Sequence, residues 1–211
     1  MLPLFAFDMD GVLFDSEEVK IWCFRAAFEP LGLPSEHLAA IDAANRSQRG
    51  IPREQKIRLL LGEFAAHLPP HAAYTEVTER YRHLLEQELP RCPPLPGLRG
   101  FLTSVPASRH VCSSAPAEEI RSNLRRHTLT AFFDSVNGYP DSKATTLDRL
   151  RRLGPVIFFG DAPADLEAAR QTGTTFVAVN PSVHLKSQVP EWLEDFTDVP
   201  KVRRLAGLNI V

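Results

Sequence analysis

The sequence predicts an α/β fold, a parallel sheet with helices on both faces, interrupted after its first strand by an all-helical insertion. Two patterns carry this. Apolar segments of strand length alternate with helical periodicities in the outer parts of the chain, and residues 16–89 show helix after helix with no convincing strand.

Taken in order, Leu4–Phe7 is an unbroken apolar run, the pattern of a strand buried on both faces, and it stops at Asp8. In the insertion, Val19, Trp22, Cys23, Ala26 and Ala27 fall at helical spacing. Ile57, Leu60, Leu61 and Phe64 do the same, followed by Val77, Tyr81, Leu84 and Leu85. Trp22 and the phenylalanines of this segment read as core. The insertion ends in Leu89-Pro90-Arg91-Cys92-Pro93-Pro94-Leu95-Pro96-Gly97, where prolines block helix and favour stiff extended chain, a return hinge. The other crossing falls just after Asp15, so Asp15 and Ser16 read either as a hinge or as the cap of the next helix. Arg109–Cys112, Val156–Phe159 and Thr175–Val179 continue the strand series, with helical patterns at Ala117–Arg126, Lys143–Leu153 and Ala164–Thr172. The expected domains are a core of residues 1–15 and 90–211 and a helical domain of residues 16–89.

Composition narrows the function classes. A chain of 211 residues buries one good core, or a core with a smaller attached domain. A formal net charge of −2 gives no electrostatic reason to expect nucleic acid, and the basic clusters at 121–126 and 149–152 repeat at helical spacing, as a solvated helix face does. The first apolar run is too short to span a bilayer, is broken by acids, and lacks the basic start and cleavage site of a signal peptide. Three cysteines, far apart and without CxxC spacing, read as buried thiols in a reducing cytoplasm. The expectation is a cytoplasmic protein, a monomer or weak homodimer, with no nucleic-acid or membrane partner.

Chemistry concentrates in four separated pieces. Asp8 and Asp10 leave an extended chain on the same side, so their charges crowd unless a cation or a shared proton relieves them. Gly11 lets a ligand approach the main chain. Ser113 follows His110-Val111-Cys112, Lys143 opens a helix after Pro140-Asp141-Ser142, and Gly160-Asp161-Ala162-Pro163-Ala164-Asp165 follows Val156–Phe159. All four follow strands or open helices at one sheet edge, and ligands in parallel sheets bind beyond the carboxyl ends of the strands. The pattern reads as a metal-dependent active site.

The string Asp8-Met9-Asp10-Gly11 continuing to Asp15-Ser16, with Gly160 to Ala169 spelling GDxxxDxxAA, resembles the haloacid dehalogenase superfamily. The likeness is to its phosphatase and β-phosphoglucomutase-like members, whose helical cap follows the first strand of a Rossmann-like core. It spans nearly the whole chain. The resemblance implies hydrolysis of a small phosphorylated metabolite, a sugar or sugar-acid phosphate first, with Mg²⁺ as cofactor. It implies metal ligands in the Asp8 carboxylate, the Asp10 backbone carbonyl and the Asp161 carboxylate, with Asp165 orienting metal-bound water behind them. Asp8 is then the nucleophile that forms an aspartyl phosphate, and Asp10 the general acid and base, its side chain left free by the use of its carbonyl. Ser113, the backbone N–H of Ser114 near a helix start, and Lys143 would hold the phosphate.

The chain departs from the family pattern in three places. The common KPxPD string is absent, and Gly138-Tyr139-Pro140-Asp141-Ser142-Lys143 resembles the variant in which lysine opens the helix. Ala44-Asn45-Arg46-Ser47-Gln48-Arg49-Gly50 resembles the specificity loop of the cap, with Asn45 where glycine is expected. Lys20 stands where hexose-phosphate mutases carry a histidine, which weighs against mutase activity. Lys20, Arg46 and Arg49 are the candidate cap residues for substrate specificity.

Plainer readings stand beside these. Asp161 and Asp165 suit a helix N-terminus, Ser113 and Ser114 suit helix caps, and Lys143 suits a solvated surface. His67 and His71 are four apart, but Pro69 and Pro70 forbid the helix that would align them as metal ligands. The alternatives to a phosphatase are a phosphomutase and a receiver-type phospho-switch. The switch is disfavoured because its phosphate-accepting aspartate does not follow the first strand and no helical insertion follows it.

Overall fold

The computed structural model describes residues 3–48 and 51–208. The chain divides into two compact units, one of Met1–Asp15 with Pro93–Val211 and the other of Ser16–Cys92. Helices α1 (Glu17–Phe28), α2 (Ser35–Ser47), α3 (Arg53–Phe64) and α4 (Pro70–Glu88) belong to the second unit. Helices α5 (Leu98–Ser104), α6 (Ala117–Arg126), α7 (Lys143–Arg151), α8 (Pro163–Thr172), α9 (Val183–Lys186) and α10 (Val199–Leu205) belong to the first. Among the described residues no helix is long and apolar enough to cross a membrane.

The sheet of the first unit is wholly parallel, with strands β1 (Leu4–Phe7), β2 (Arg109–Pro116), β3 (Ser135–Tyr139), β4 (Val156–Gly160) and β5 (Thr175–Ala178) in the order β3-β2-β1-β4-β5. The chain runs outward from β1 through β2 and β3 on one side and through β4 and β5 on the other. The topological switch therefore falls at β1.

Alternation along β1 explains why all four of its residues are apolar. Phe5 and Phe7 enter one cluster with Phe101 of α5, Ile120 and Leu124 of α6, Phe159 and Phe196. Leu4 and Ala6 enter the other, with Leu147 and Leu150 of α7 and Ala168 and Ala169 of α8. Phe7 stacks on Phe159 with ring centroids 4.7 Å apart, and Phe5 lies parallel to Phe101 at 5.9 Å. Each such ring contributes about 1.5–3 kcal/mol by leaving water.

The helical unit has its own core, in which Phe24 and Phe28 of α1, Ile41 of α2, Ile57 and Leu60 of α3, and Val77, Tyr81 and Leu85 of α4 meet. Trp22 is not part of it, being 53% exposed. Ile21, Phe24 and Phe28 define the buried stripe of α1, and Trp22 lies off it. Ser16 occupies the N-cap position of α1, but its side chain makes no capping hydrogen bond. His67 precedes α4 and His71 lies in its first turn, so no single helix carries both.

The return to the first unit is less extended than the prolines suggest. Leu89–Arg91 closes a 3₁₀ turn with Pro90 at its start, where a missing N–H costs little. Beyond it, the Asp15 N–H donates to the Pro93 carbonyl at 2.9 Å.

Strand β3 has no counterpart in the sequence pattern. It is an edge strand, and its residues Ser135-Val136-Asn137-Gly138-Tyr139 are mostly polar or small and only partly buried. Strand β2 also runs past Cys112 to Pro116, with a register shift against β3 between those two residues.

His110 on β2 is 7% exposed, and its Nδ1 lies 2.9 Å from Ser135 Oγ. Burial holds the imidazole below its ordinary pKa, opposed more weakly by Asp134. Between the folded and unfolded pKa values the unfolded chain binds more protons here, so stability falls as pH drops below about 6.5. The melting temperature is expected to fall more steeply between neutral and mildly acid pH in the wild type than in His110→Gln. Parallel profiles would contradict this.

Candidate active site

The carboxyl edge of the sheet collects the acidic groups because register brings their strands level. Phe7 pairs with Val111 on one side and Phe159 on the other, so Asp8 and Asp161 follow the ends of β1 and β4 while Ser113, two residues past Val111, lies within β2 beside them. Asp8, Asp161 and Asp165 are all buried, and one carboxylate oxygen from each lies within 4.8 Å of the others.

Asp8 is fixed at both oxygens. Oδ1 accepts from the Met9 N–H at 2.7 Å, and Oδ2 pairs with Lys143 Nζ at 2.9 Å. The same ammonium pairs with Asp165 Oδ1 at 2.5 Å. Asp165 uses its other oxygen to accept from the backbone N–H groups of Ala162 at 3.0 Å and Asp161 at 3.3 Å. It thus closes the N-terminus of α8 from inside the helix, as an acid there should. Its helix-end role and its site role are carried by different oxygens.

Burial pushes the Asp8 carboxyl up, Lys143 pulls it back only in part, and Asp165 adds to the rise. Burial alone would lower the Lys143 ammonium, but Asp165 and Asp8 together raise it well above its ordinary value. Three buried carboxylates against one ammonium leave a formal charge of −2. An all-oxygen, doubly negative cluster of this kind suits a hard divalent cation.

Gly11 and Gly160 are required by this crowding. Gly11 has φ +74°, and a Cβ there would meet Asp161 Oδ2 at 2.5 Å. At Gly160 a Cβ would meet the Asp165 Cβ at 2.5 Å. Asp10 is half-buried and starts a tight loop in which the Gly11 N–H donates to the Phe14 carbonyl at 2.9 Å.

Ser113 is 4% exposed, and its Oγ accepts from the Ala115 N–H at 3.3 Å. Ser113 and Ser114 lie in the irregular part of β2, and the N-cap of α6 is Pro116. Neither serine caps a helix: α6 begins at Ala117, where the sequence pattern puts it, with Pro116 as its N-cap. Lys143 is 7% exposed, at odds with the surface reading. The sequence signal for its burial was its place in the first turn of a helix, where a cation is unfavourable without a partner.

The cap candidates lie in the helical unit. Lys20 is half-buried on α1. Arg46 does not sit on a loop, because α2 continues through Ser47; no helix breaker precedes Gly50. Arg46 pairs with Glu18 at 2.8 Å and Asp42 at 3.1 Å. Asn45, expected on the same loop, is buried in α2 and accepts from Lys56 Nζ at 2.7 Å. Arg49 lies outside the described residues.

Comparison with known proteins places this arrangement. The haloacid dehalogenase-like hydrolase family matches residues 5–179. A phosphorylated carbohydrates phosphatase from Thermotoga maritima is 27% identical over 178 residues, 79% of this chain and 80% of that protein. Among solved structures, a β-phosphoglucomutase from Clostridium difficile has a TM-score of 0.75 at 17% identity, covering 98% of both chains. A hydrolase from Pseudomonas syringae has a TM-score of 0.76 at 17% identity, covering 95% of this chain and 97% of that one. The structural matches share the fold, and the family match runs from β1 past the end of β5, taking in every acidic group of the cluster; the chain belongs to the haloacid dehalogenase-like hydrolase family.

Proposed function

We propose that this enzyme is a Mg²⁺-dependent phosphatase acting on a small phosphorylated metabolite, with a sugar or sugar-acid phosphate as the first class. The observation that supports it is the buried cluster of Asp8, Asp161 and Asp165, with Lys143 paired to Asp8 and Asp165. The activity named for the Thermotoga maritima relative favours the carbohydrate class.

In this reading the Asp8 and Asp161 carboxylates and the Asp10 carbonyl would hold Mg²⁺, with Asp165 behind them, and the ion when bound would supply positive charge against the phosphoryl oxygens. An Asp8 oxygen bonds to phosphorus as the ester P–O bond breaks, and the Asp10 carboxyl protonates the departing alkoxide. Asp10 then takes a proton from water, which attacks phosphorus. The P–O bond to Asp8 breaks, and inorganic phosphate leaves. Lys143 and Ser113 bind phosphoryl oxygens throughout, and positioning with charge neutralisation supplies most of the rate.

Hydrolysis of a panel of phosphorylated metabolites, with and without Mg²⁺, tests the proposal. Metal-dependent release of inorganic phosphate is the expected result; no turnover on any ester would sink it. Transfer to a second hydroxyl of the substrate in place of water would identify a phosphomutase. Asp10→Ala is expected to lower kcat by about 10²–10⁴-fold, the usual contribution of general acid–base catalysis. An ester whose alcohol is already a good leaving group should lose less in the acid step, and comparing two esters in this variant checks the role.

A further inference from the structure

Lys143 reaches two carboxylates from the first residue of α7, so the seating of that helix decides whether its amino group meets both. We propose that Cys112 and Asn137, opposed on β2 and β3, form a two-point seat for α7 and act as positioning residues for Lys143. The kinetic consequence rests on the phosphatase reading; the seat itself does not.

Cys112 and Asn137 are register partners, and residues directly opposed in a sheet project to the same face. At the first point, the Cys112 thiol, 1% exposed, lies 3.7 Å from the Lys143 carbonyl as a weak donor. At the second point, Asn137 Oδ1 accepts from Arg149 Nη2 at 2.8 Å, and Arg149 Nη1 pairs with Asp141 Oδ2 at 3.1 Å. The Asn137 amide is itself fixed, because Nδ2 donates to the Val111 carbonyl and to Ser135 Oγ, both at 2.9 Å.

The α7 residues that meet the two points, Lys143 and Arg149, stand about 9 Å apart along the helix axis at 1.5 Å per residue. A helix held at one point rolls about it, whereas two points on one sheet face fix both its roll and its axial position. The bracket from Arg149 to Asp141 also braces the loop that delivers Lys143. A lysine stem is flexible, but an amino group that bridges two carboxylates at 2.9 and 2.5 Å has little slack for a shifted backbone.

Two variants test the seat. Cys112→Ala removes the S–H donor without adding volume; Arg149→Leu removes the outer point from an exposed position and remains informative if the buried variant fails to fold. Lysine side chains labelled with ¹⁵N give an Nζ spectrum in which the Lys143 signal is identified by its loss in Lys143→Met. That signal is expected to shift or broaden in both variants and to stay in place in Cys23→Val, which alters a buried thiol of the helical unit. In steady-state assays kcat is expected to fall by about 10- to 100-fold, the scale for misplacement of about 1 Å, with KM changing less. A Lys143 signal unmoved in both variants overturns the seat. A signal that moves while kcat keeps its wild-type value overturns the positioning role. If the wild type itself hydrolyses no phosphate ester, the proposed function falls and the Lys143 signal alone decides the seat.

Discussion

Asp8→Asn is expected to abolish phosphate-ester hydrolysis, lowering kcat by about 10⁴-fold or more, as loss of a covalent nucleophile does elsewhere. The amide keeps the size and planarity of the carboxylate. Its oxygen still accepts from the Met9 N–H, so the turn after β1 has no reason to rearrange. What disappears is the anionic oxygen that bonds to phosphorus. Fold and function separate in this variant, because Lys143 keeps Asp165 as a charged partner and a carboxyl raised by burial is replaced by a neutral group. Unfolding should therefore stay close to the wild type while turnover vanishes. Incubation with substrate and acid quench should trap phosphate on the wild-type protein and none on the variant. Near-normal turnover by Asp8→Asn would dismiss Asp8 as the nucleophile.

Lys143→Met is expected to be the most destabilising single change at the site. Removing one partner from a buried ionic cluster typically costs about 3–5 kcal/mol, because the remaining charges lose their compensation in a poorly solvated place. Here the ammonium lies against two carboxylates, 7% and 0% exposed in their side chains, with a third close by. Three signatures should accompany the loss. The denaturant midpoint should fall, millimolar Mg²⁺ should restore part of it by supplying positive charge, and mild acid should narrow the deficit by neutralising the carboxylates. An unchanged midpoint without metal would show that the cluster does not depend on Lys143.

The sequence made Asp8, Asp10 and Asp161 visible because each stands in a contiguous string whose chemistry is hard to explain as stability alone. Lys143 was harder to place, since its meaning lies in Asp165, twenty-two residues later on another helix. Only the packing of α7 beside α8 reveals that pair. Strand β3 is hard to read from the sequence because a partly buried edge strand needs few apolar residues, and only Val136 and Tyr139 among its five are strong strand formers. Arg46 misled for a different reason. Its neighbours Ala44, Asn45, Ser47 and Gln48 do not themselves stop a helix, so resemblance to a loop gave way to the local tendency of α2 to continue. Trp22 reads as core by residue type, whereas the stripe through Ile21, Phe24 and Phe28 fills that face of α1.

The central place of β1 has a consequence for the birth of the molecule. Leu4 pairs with Val156, 152 residues later, so on a ribosome moving at about 5–20 residues per second this strand waits about 8–30 s for that neighbour. During that interval Ser16–Cys92 emerges complete, and its core joins helices close in sequence, the contacts that form fastest. Meanwhile Phe5 and Phe7 remain without the strand that covers them, a demand on chaperones rather than on equilibrium stability. The acidic cluster is assembled only when β4 and α8 arrive, so a nascent or truncated chain would carry folded helices long before it had anything to bind a metal with.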